Sequence, residues 1–190
     1  MSSNQTGLYN HSYEKSSCGV GFITKKDSVQ SHDILIKAHE ALCSVPHRGG
    51  MSSEGVGDGA GISIDLSLDF FQKITSKQLI PGLFCVGNFF MPSDIDACNY
   101  AKNLIIDTLK KEKFNLLKIR DIPTNKKILN KSSVLAQLEI KQFIFEIPEN
   151  ILQKDTIIHE CLLKIEAEAF VSVKLKELYP LSLSTKLQVL

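Results

Sequence analysis

A chain of 190 residues is long enough for one domain with a buried core, and 43% hydrophobic with 23% charged residues excludes both a disordered polymer and a disulfide scaffold. Lys and Arg number 22 against 21 Asp and Glu, so a formal net charge of +1 gives no electrostatic case for nucleic acid as a partner. No apolar run approaches the roughly 20 residues that cross a bilayer, so no membrane role is expected.

Residues 1–17 are polar and lack the apolar core of a secretory signal; they read either as a removable leader or as a disordered tail. They end at Cys18-Gly19-Val20-Gly21-Phe22-Ile23, an apolar run that reads as a buried strand from Gly19 to about Thr24. A lone cysteine at such a place is most often a structural thiol. The polar Lys25-Lys26-Asp27-Ser28 makes a turn. A helix then begins near Ser31 or Asp33, either of which suits a cap, with Ile34, Ala38, Ala41, Leu42 and Val45 on one side and Pro46 at its end.

His47-Arg48-Gly49-Gly50 forms a loop whose glycines permit positive φ or a close backbone approach. Arg48 has three readings: an exposed loop arginine, a group that holds the loop against the first strand, or a contact to substrate. Gly57-Asp58-Gly59-Ala60-Gly61 lacks both the Lys-Ser/Thr ending of a Walker motif and GxGxxG spacing, so a nucleotide site is not expected. Its glycines let it lie flat against neighbouring backbone, and the alternation of Ile62, Ile64 and Leu66 with Ser63 and Asp65 predicts a half-buried strand.

After Phe70-Phe71 and a loop through Pro81-Gly82, Leu83 to Met91 reads as a strand, apolar apart from Gly87 and Asn88. Ser93 and Asp96 form a capping box for a helix with Ala97, Cys98, Ala101, Leu104, Ile105, Thr108 and Leu109 in one stripe; Cys98 is core, and the lysines at the helix end suit its negative pole. Asn115 to Pro123 reads as a strand, residues 124–133 as a polar loop, Ile140 to Ile147 as a strand, and the chain from Asp155 as a helix burying Ile158, Cys161, Leu162, Ile165 and Ala169. His11 and His159 have no metal-ligand company. The cysteines at 18, 43, 85, 98 and 161 are odd in number and without CxxC spacing, which points to a reducing compartment.

Three early motifs in order, Cys18-Gly19-Val20-Gly21-Phe22, His47-Arg48-Gly49 and Gly57-Asp58-Gly59-Ala60-Gly61, resemble the start of the class II glutamine amidotransferase domain of the glutamate synthase large subunit, an N-terminal-nucleophile hydrolase. Arg120-Asp121-Ile122-Pro123 resembles that family's Trp-Arg-Asp-Val-Pro with Ile119 in place of the tryptophan, and Tyr179 to Lys186 resembles a segment that leads into another strand. The resemblance implies an α+β fold, a four-layer αββα sandwich with Cys18 on an inner strand. It divides the chain into a leader or propeptide, 1–17, and a partial amidotransferase type-2 domain, 18–190.

By the same resemblance Cys18 is the nucleophile, with Arg48, Gly49, Asp58 and Gly59 in support. A thiol of pKa about 8.5 needs a base at neutral pH. His47 is one candidate; the other is the α-amine of Cys18 itself, of pKa about 8 once residues 1–17 are removed. The thiolate would attack the carboxamide of glutamine, release ammonia and form a γ-glutamyl thioester that water hydrolyses. The resemblance further implies, outside this segment, FMN and an iron–sulfur cluster, and as partners a synthase domain and an electron-donor subunit or ferredoxin. The expected location is cytoplasmic, or a plastid in a eukaryote.

Family members also carry a His-x-Arg-Phe-Ser-Thr-Asn segment that holds the substrate carboxylate and an Asn-Gly-Glu segment that forms the oxyanion hole. Neither string occurs in this sequence. Loss of one oxyanion donor costs on the order of a hundredfold in rate, so the chain alone is expected to be inactive. A sandwich that stops here leaves inner strands unpaired, and oligomerisation or poor solubility is expected. The alternatives are a non-catalytic truncated protein or interaction fragment and a stand-alone thiol enzyme using Cys18 and His47.

Overall fold

The computed structural model describes residues 19–45 and 59–190, and the chain divides into two compact units, Met1–Ala60 and Gly61–Leu190.

In the first unit the described residues contain helix α1 (His32–Cys43). Ser31 occupies its N-cap in extended conformation without a side-chain cap bond, and Asp33 in the first turn pairs with Lys37 at 2.8 Å. The preceding turn closes through Ser28 N donating to Lys25 O at 3.1 Å and Val29 N donating to Asp27 Oδ1 at 3.0 Å. Ile34, Ala38 and Leu42 are half-buried, whereas Ala41 and Val45 of the expected stripe are exposed. The strand expected over Gly19 to Thr24 does not form: no strand pairs with it among the described residues, and Val20 and Phe22 stand almost fully exposed. A strand is a relation between two segments, and apolar character alone cannot supply the second.

The second unit is an α+β layer structure. Its antiparallel sheet has the order β3 (Asn115–Asp121), β4 (Glu139–Glu146), β2 (Phe84–Met91), β5 (Tyr179–Ser184). Alternation sorts β2 onto two faces. Cys85, Phe89 and Met91, with Phe143, Phe145 and Leu183, pack against Ala101, Ile105 and Leu109 of α3 (Ile95–Lys111) and Ile158, Cys161 and Ile165 of α5 (Lys154–Val171). Each Phe, Leu, Ile and Met among these stabilises the fold by about 1.5–3 kcal/mol through the water it sheds. On the opposite face Phe84, Val86 and Ile144 pack with Leu66, Leu79 and Phe71, the last from α2 (Leu68–Thr75).

A second, two-stranded sheet joins β1 (Ser63–Asp65) to β6 (Leu187–Val189), antiparallel, with Ile64 opposite Gln188. The helix after β2 is capped differently from expectation: Asp94 is the N-cap, its carboxylate accepting from Ala97 N at 2.9 Å, while Ser93 N donates to Glu177 Oε2 at 2.7 Å. Asp96 lies in the first turn, and Cys98 is partly buried against the core. Residues 124–133 are not wholly loop, because a 3-10 turn at Lys126–Ile128 and the short helix α4 (Lys131–Ala136), capped by Asn130 Oδ1 accepting from Ser133 N at 2.8 Å, interrupt them. Among the described residues no helix is long and apolar enough to cross a membrane.

Candidate active site

Cys18, His47, Arg48, Gly49 and Asp58 lie outside the described residues, as does His11. Gly59 is described, with φ of +90, a value that L side chains rarely adopt. A Cβ there would meet nothing within 4 Å, so it is conformation rather than crowding that calls for glycine. At Gly61 the reason is reversed: a Cβ would lie 3.0 Å from Leu190 O. Of the glycine-rich entry to β1, it is Gly61 that lies against neighbouring backbone. Ile62 and Leu190 exchange both backbone hydrogen bonds at 2.9 Å, and Leu66 N donates to Lys186 O at 2.9 Å.

β6, the partner of β1, is held in turn by a polar row that crosses the large sheet, buried at Gln142, Asn88 and Ser182 and half-buried at Arg120. Arg120, Gln142, Asn88 and Ser182 are consecutive cross-strand partners on β3, β4, β2 and β5. Arg120 Nε donates to Gln142 Oε1 at 2.8 Å, and the guanidinium lies 5.3 Å from the centroid of the Phe70 ring. Gln142 Nε2 donates to Asn88 Oδ1 at 2.9 Å and to Gln188 Oε1 at 3.0 Å. Asn88 Nδ2 donates to Val189 O at 2.8 Å, and Val189 N donates to Ser182 Oγ at 3.1 Å. Sequence reasoning noted Asn88 only as an interruption of an apolar run. A second polar residue, Gln142, breaks the run in β4, and that pair of interruptions is the signal that would have located the row.

Two of the described thiols, Cys85 and Cys161, are suppressed as nucleophiles. Burial pushes the Cys85 thiol well above its ordinary 9.0, and the neighbouring Cys161 adds to this; Cys161 is raised too, by burial and then by Glu112. Desolvation disfavours the thiolate that attacks. Cys43 is exposed on α1, with Sγ 3.8 and 3.9 Å from the ring nitrogens of His39, one turn away. His159 is exposed on α5. Among the described residues no three His, Cys, Asp or Glu side chains converge as metal ligands.

Ferredoxin-dependent glutamate synthase of Spinacia oleracea, chloroplastic, is 33% identical over 183 residues, 91% of this chain and 11% of its own length. The chloroplastic/mitochondrial ferredoxin-dependent glutamate synthase 1 of Arabidopsis thaliana is 30% identical over 169 residues, covering 86% of this chain and 10% of that protein. Glutamate synthase [NADH] of Saccharomyces cerevisiae is 41% identical over 104 residues, 52% of this chain and 5% of that protein. The chain therefore spans about a tenth or less of the relatives it matches. The pattern of the family described as glutamine amidotransferases class-II matches residues 18–190, from the cysteine onward, and the chain belongs to that family.

Proposed function

We propose that the chain is the nucleophile-bearing part of a glutamate synthase glutaminase, and that residues outside this sequence complete its site. The observation that carries this reading is the family match over residues 18–190, which opens on Cys18. Removal of residues 1–17 frees the Cys18 α-amine, which at a pKa of about 8 accepts the thiol proton. The thiolate attacks the glutamine carboxamide carbon, the C–N bond breaks as the amine returns a proton to the leaving nitrogen, and ammonia departs. Water then cleaves the γ-glutamyl thioester, giving glutamate and the free thiol.

In this reading the α3–α5 layer, the four-stranded sheet and the β1–β6 pair are three of the layers of an αββα sandwich, with β1–β6 the beginning of its second sheet. Two strands are marginal by themselves, so the second sheet takes its further strands from elsewhere. The substrate clamp and oxyanion donors, whose sequence strings are missing here, come with them. Ammonia passes to a synthase site that the relatives' names imply and that lies outside this segment.

The test is ammonia release from glutamine by the purified chain, alone and with the downstream part of a glutamate synthase amidotransferase domain added. No release alone, and release on completion that Cys18→Ala abolishes, is the expected result. Robust turnover by the chain alone, or by completed Cys18→Ala, overturns the proposal. Intact mass after expression checks the base: a protein that retains residues 1–17 and still turns over rules out the α-amine.

A further inference from the structure

Two exposed surfaces of the second unit are complementary to one another. The first is the β3–β4 connection. Between Asp121 and Glu139 the sequence contains Lys126, Lys127 and Lys131 and no acidic residue. The same stretch exposes Ile128 (80%), Leu129, Val134 and Leu135 (89%), two turns of apolar side chain flanked by lysines. The second surface is the outward face of α5. Leu163, Glu166 and Phe170 succeed each other at spacings of three and four, which aligns them on one side of the helix, with His159 and Glu160 one turn before. Ile158, Cys161 and Ile165 point the other way, into the core. Phe170 is 92% exposed and Leu163 is 50% exposed.

The two surfaces also carry opposite charge. Glu160 and Glu166 are exposed on this face, while Lys164, on its flank, is engaged by Glu112 at 3.3 Å. Glu168 accepts from Tyr100 Oη at 3.4 Å and joins the helix end to α3. Lys174 and Lys176 lie past the helix and outside this stripe. Isolated exposed apolar residues need no explanation, but contiguous ones rimmed by charge mark an interaction surface. An arm of this length without an aromatic residue is a poor membrane anchor, and a protein surface suits it better.

We propose that the occupant of each surface is a second copy of this chain: the basic apolar arm around Ile128 and Leu135 docks on the acidic apolar face of α5 around Leu163 and Phe170. The contact joins two different surfaces, so it is heterologous, and repetition builds rings or open chains rather than a closed two-fold pair. It is independent of any chemistry at Cys18.

Light scattering on size-exclusion fractions of the full chain, across a concentration series, reads this directly. Mass rises with concentration and falls back as salt screens the lysine–glutamate pairing. Two variants, Ile128→Ser with Leu135→Ser on the arm and Leu163→Ser with Phe170→Ser on the helix, alter only exposed side chains and preserve the fold. Each variant alone is monomeric, its association weakened on the order of tenfold or more. Mixed, they retain one arm and one helix face between them and form a dimer that stops at that size. A monodisperse monomer for the unaltered chain, variants that associate like it, or a mixture that stays monomeric each overturns the proposal; the last two assign any association to other surfaces.

Discussion

Gln142 stands directly across from Asn88 on neighbouring strands, and its side-chain amide donates to the Asn88 carboxamide oxygen at 2.9 Å in a buried site. Each amide also reaches β6, through Gln188 Oε1 and Val189 O. Replacing Asn88 with Leu leaves Val189 O without its donor and removes the acceptor of Gln142, so stability falls by about 1–3 kcal/mol. Chemical denaturation measures this loss. In a double-mutant cycle with Gln142→Leu the pair couples by about 0.5–3 kcal/mol, because both changes break one network. Additive losses would mean that the two amides act separately.

Gly87, beside Asn88 on β2, faces the helices, and a Cβ there would lie 2.6 Å from Phe89 Cε2 and 2.9 Å from Leu183 Cδ1. The Phe89 ring cannot give way freely, since it is buried and stacks edge-on against Phe143 with centroids 5.6 Å apart. Gly87→Ala is expected to destabilise the protein by about 1–3 kcal/mol through overpacking, and Gly87→Ala with Phe89→Leu to regain part of it. A neutral single substitution in thermal denaturation would contradict this packing.

Much of the second unit was legible from period alone. The apolar run at Leu83 to Met91 became β2, Asn115 onward β3, Ile140 onward β4, and the helix from Asp155 buries Ile158, Cys161 and Ile165 as its spacing requires. What period missed was set by partners. Ser93 looks like the cap of α3, yet Glu177, distant in sequence, takes its backbone N–H, and Asp94 caps instead. The segment Gly19 to Thr24 has the composition of a strand but pairs with nothing among the described residues. Of the expected site, the motif order identified the family, while Cys18, His47, Arg48, Gly49 and Asp58 lie outside the described residues and Gly59 adopts a positive φ that its motif had not announced. The polar row at Arg120, Gln142, Asn88 and Ser182 was hidden because its members lie on four strands and meet only in the register.

Gly59 and Gly61 differ in what they tolerate. At Gly59 an alanine costs about 1–2 kcal/mol through its backbone conformation, at φ +90, although space is open. At Gly61 the added methyl meets Leu190 O at 3.0 Å, and backbone must shift where β1 joins β6. Hydrogen exchange separates the two: Gly61→Ala accelerates exchange at Ile62 N and Leu190 N, and Gly59→Ala lowers the melting temperature with less effect on those amides. Equal acceleration in both would remove the distinction between strain and contact.

The buried thiols give the fold an alkaline limit. Burial, with a contribution from Cys161, holds Cys85 protonated above its ordinary 9.0, whereas the unfolded chain ionises there. The unfolded state then binds fewer protons, so this stabilisation is fully present below pH 9.0 and is lost as pH rises beyond it, by up to about 1.4 kcal/mol per pH unit for each such thiol. Cys161 is raised in the same direction and adds to the slope. Lys141, raised by its bond to Asp121, and Lys37, raised by its bond to Asp33, contribute their own losses only above their ordinary 10.5, so among the described residues whose values move upward only the thiols act just above 9.0. Denaturation midpoints across that interval fall steeply for the unaltered chain and less so for Cys85→Ala, which is weaker at neutral pH from lost packing. Alkylation of the native protein gives the matching order: exposed Cys43 reacts, and Cys85 and Cys161 react only on unfolding. A Cys85→Ala variant with an unchanged alkaline slope would show that the thiols do not set it.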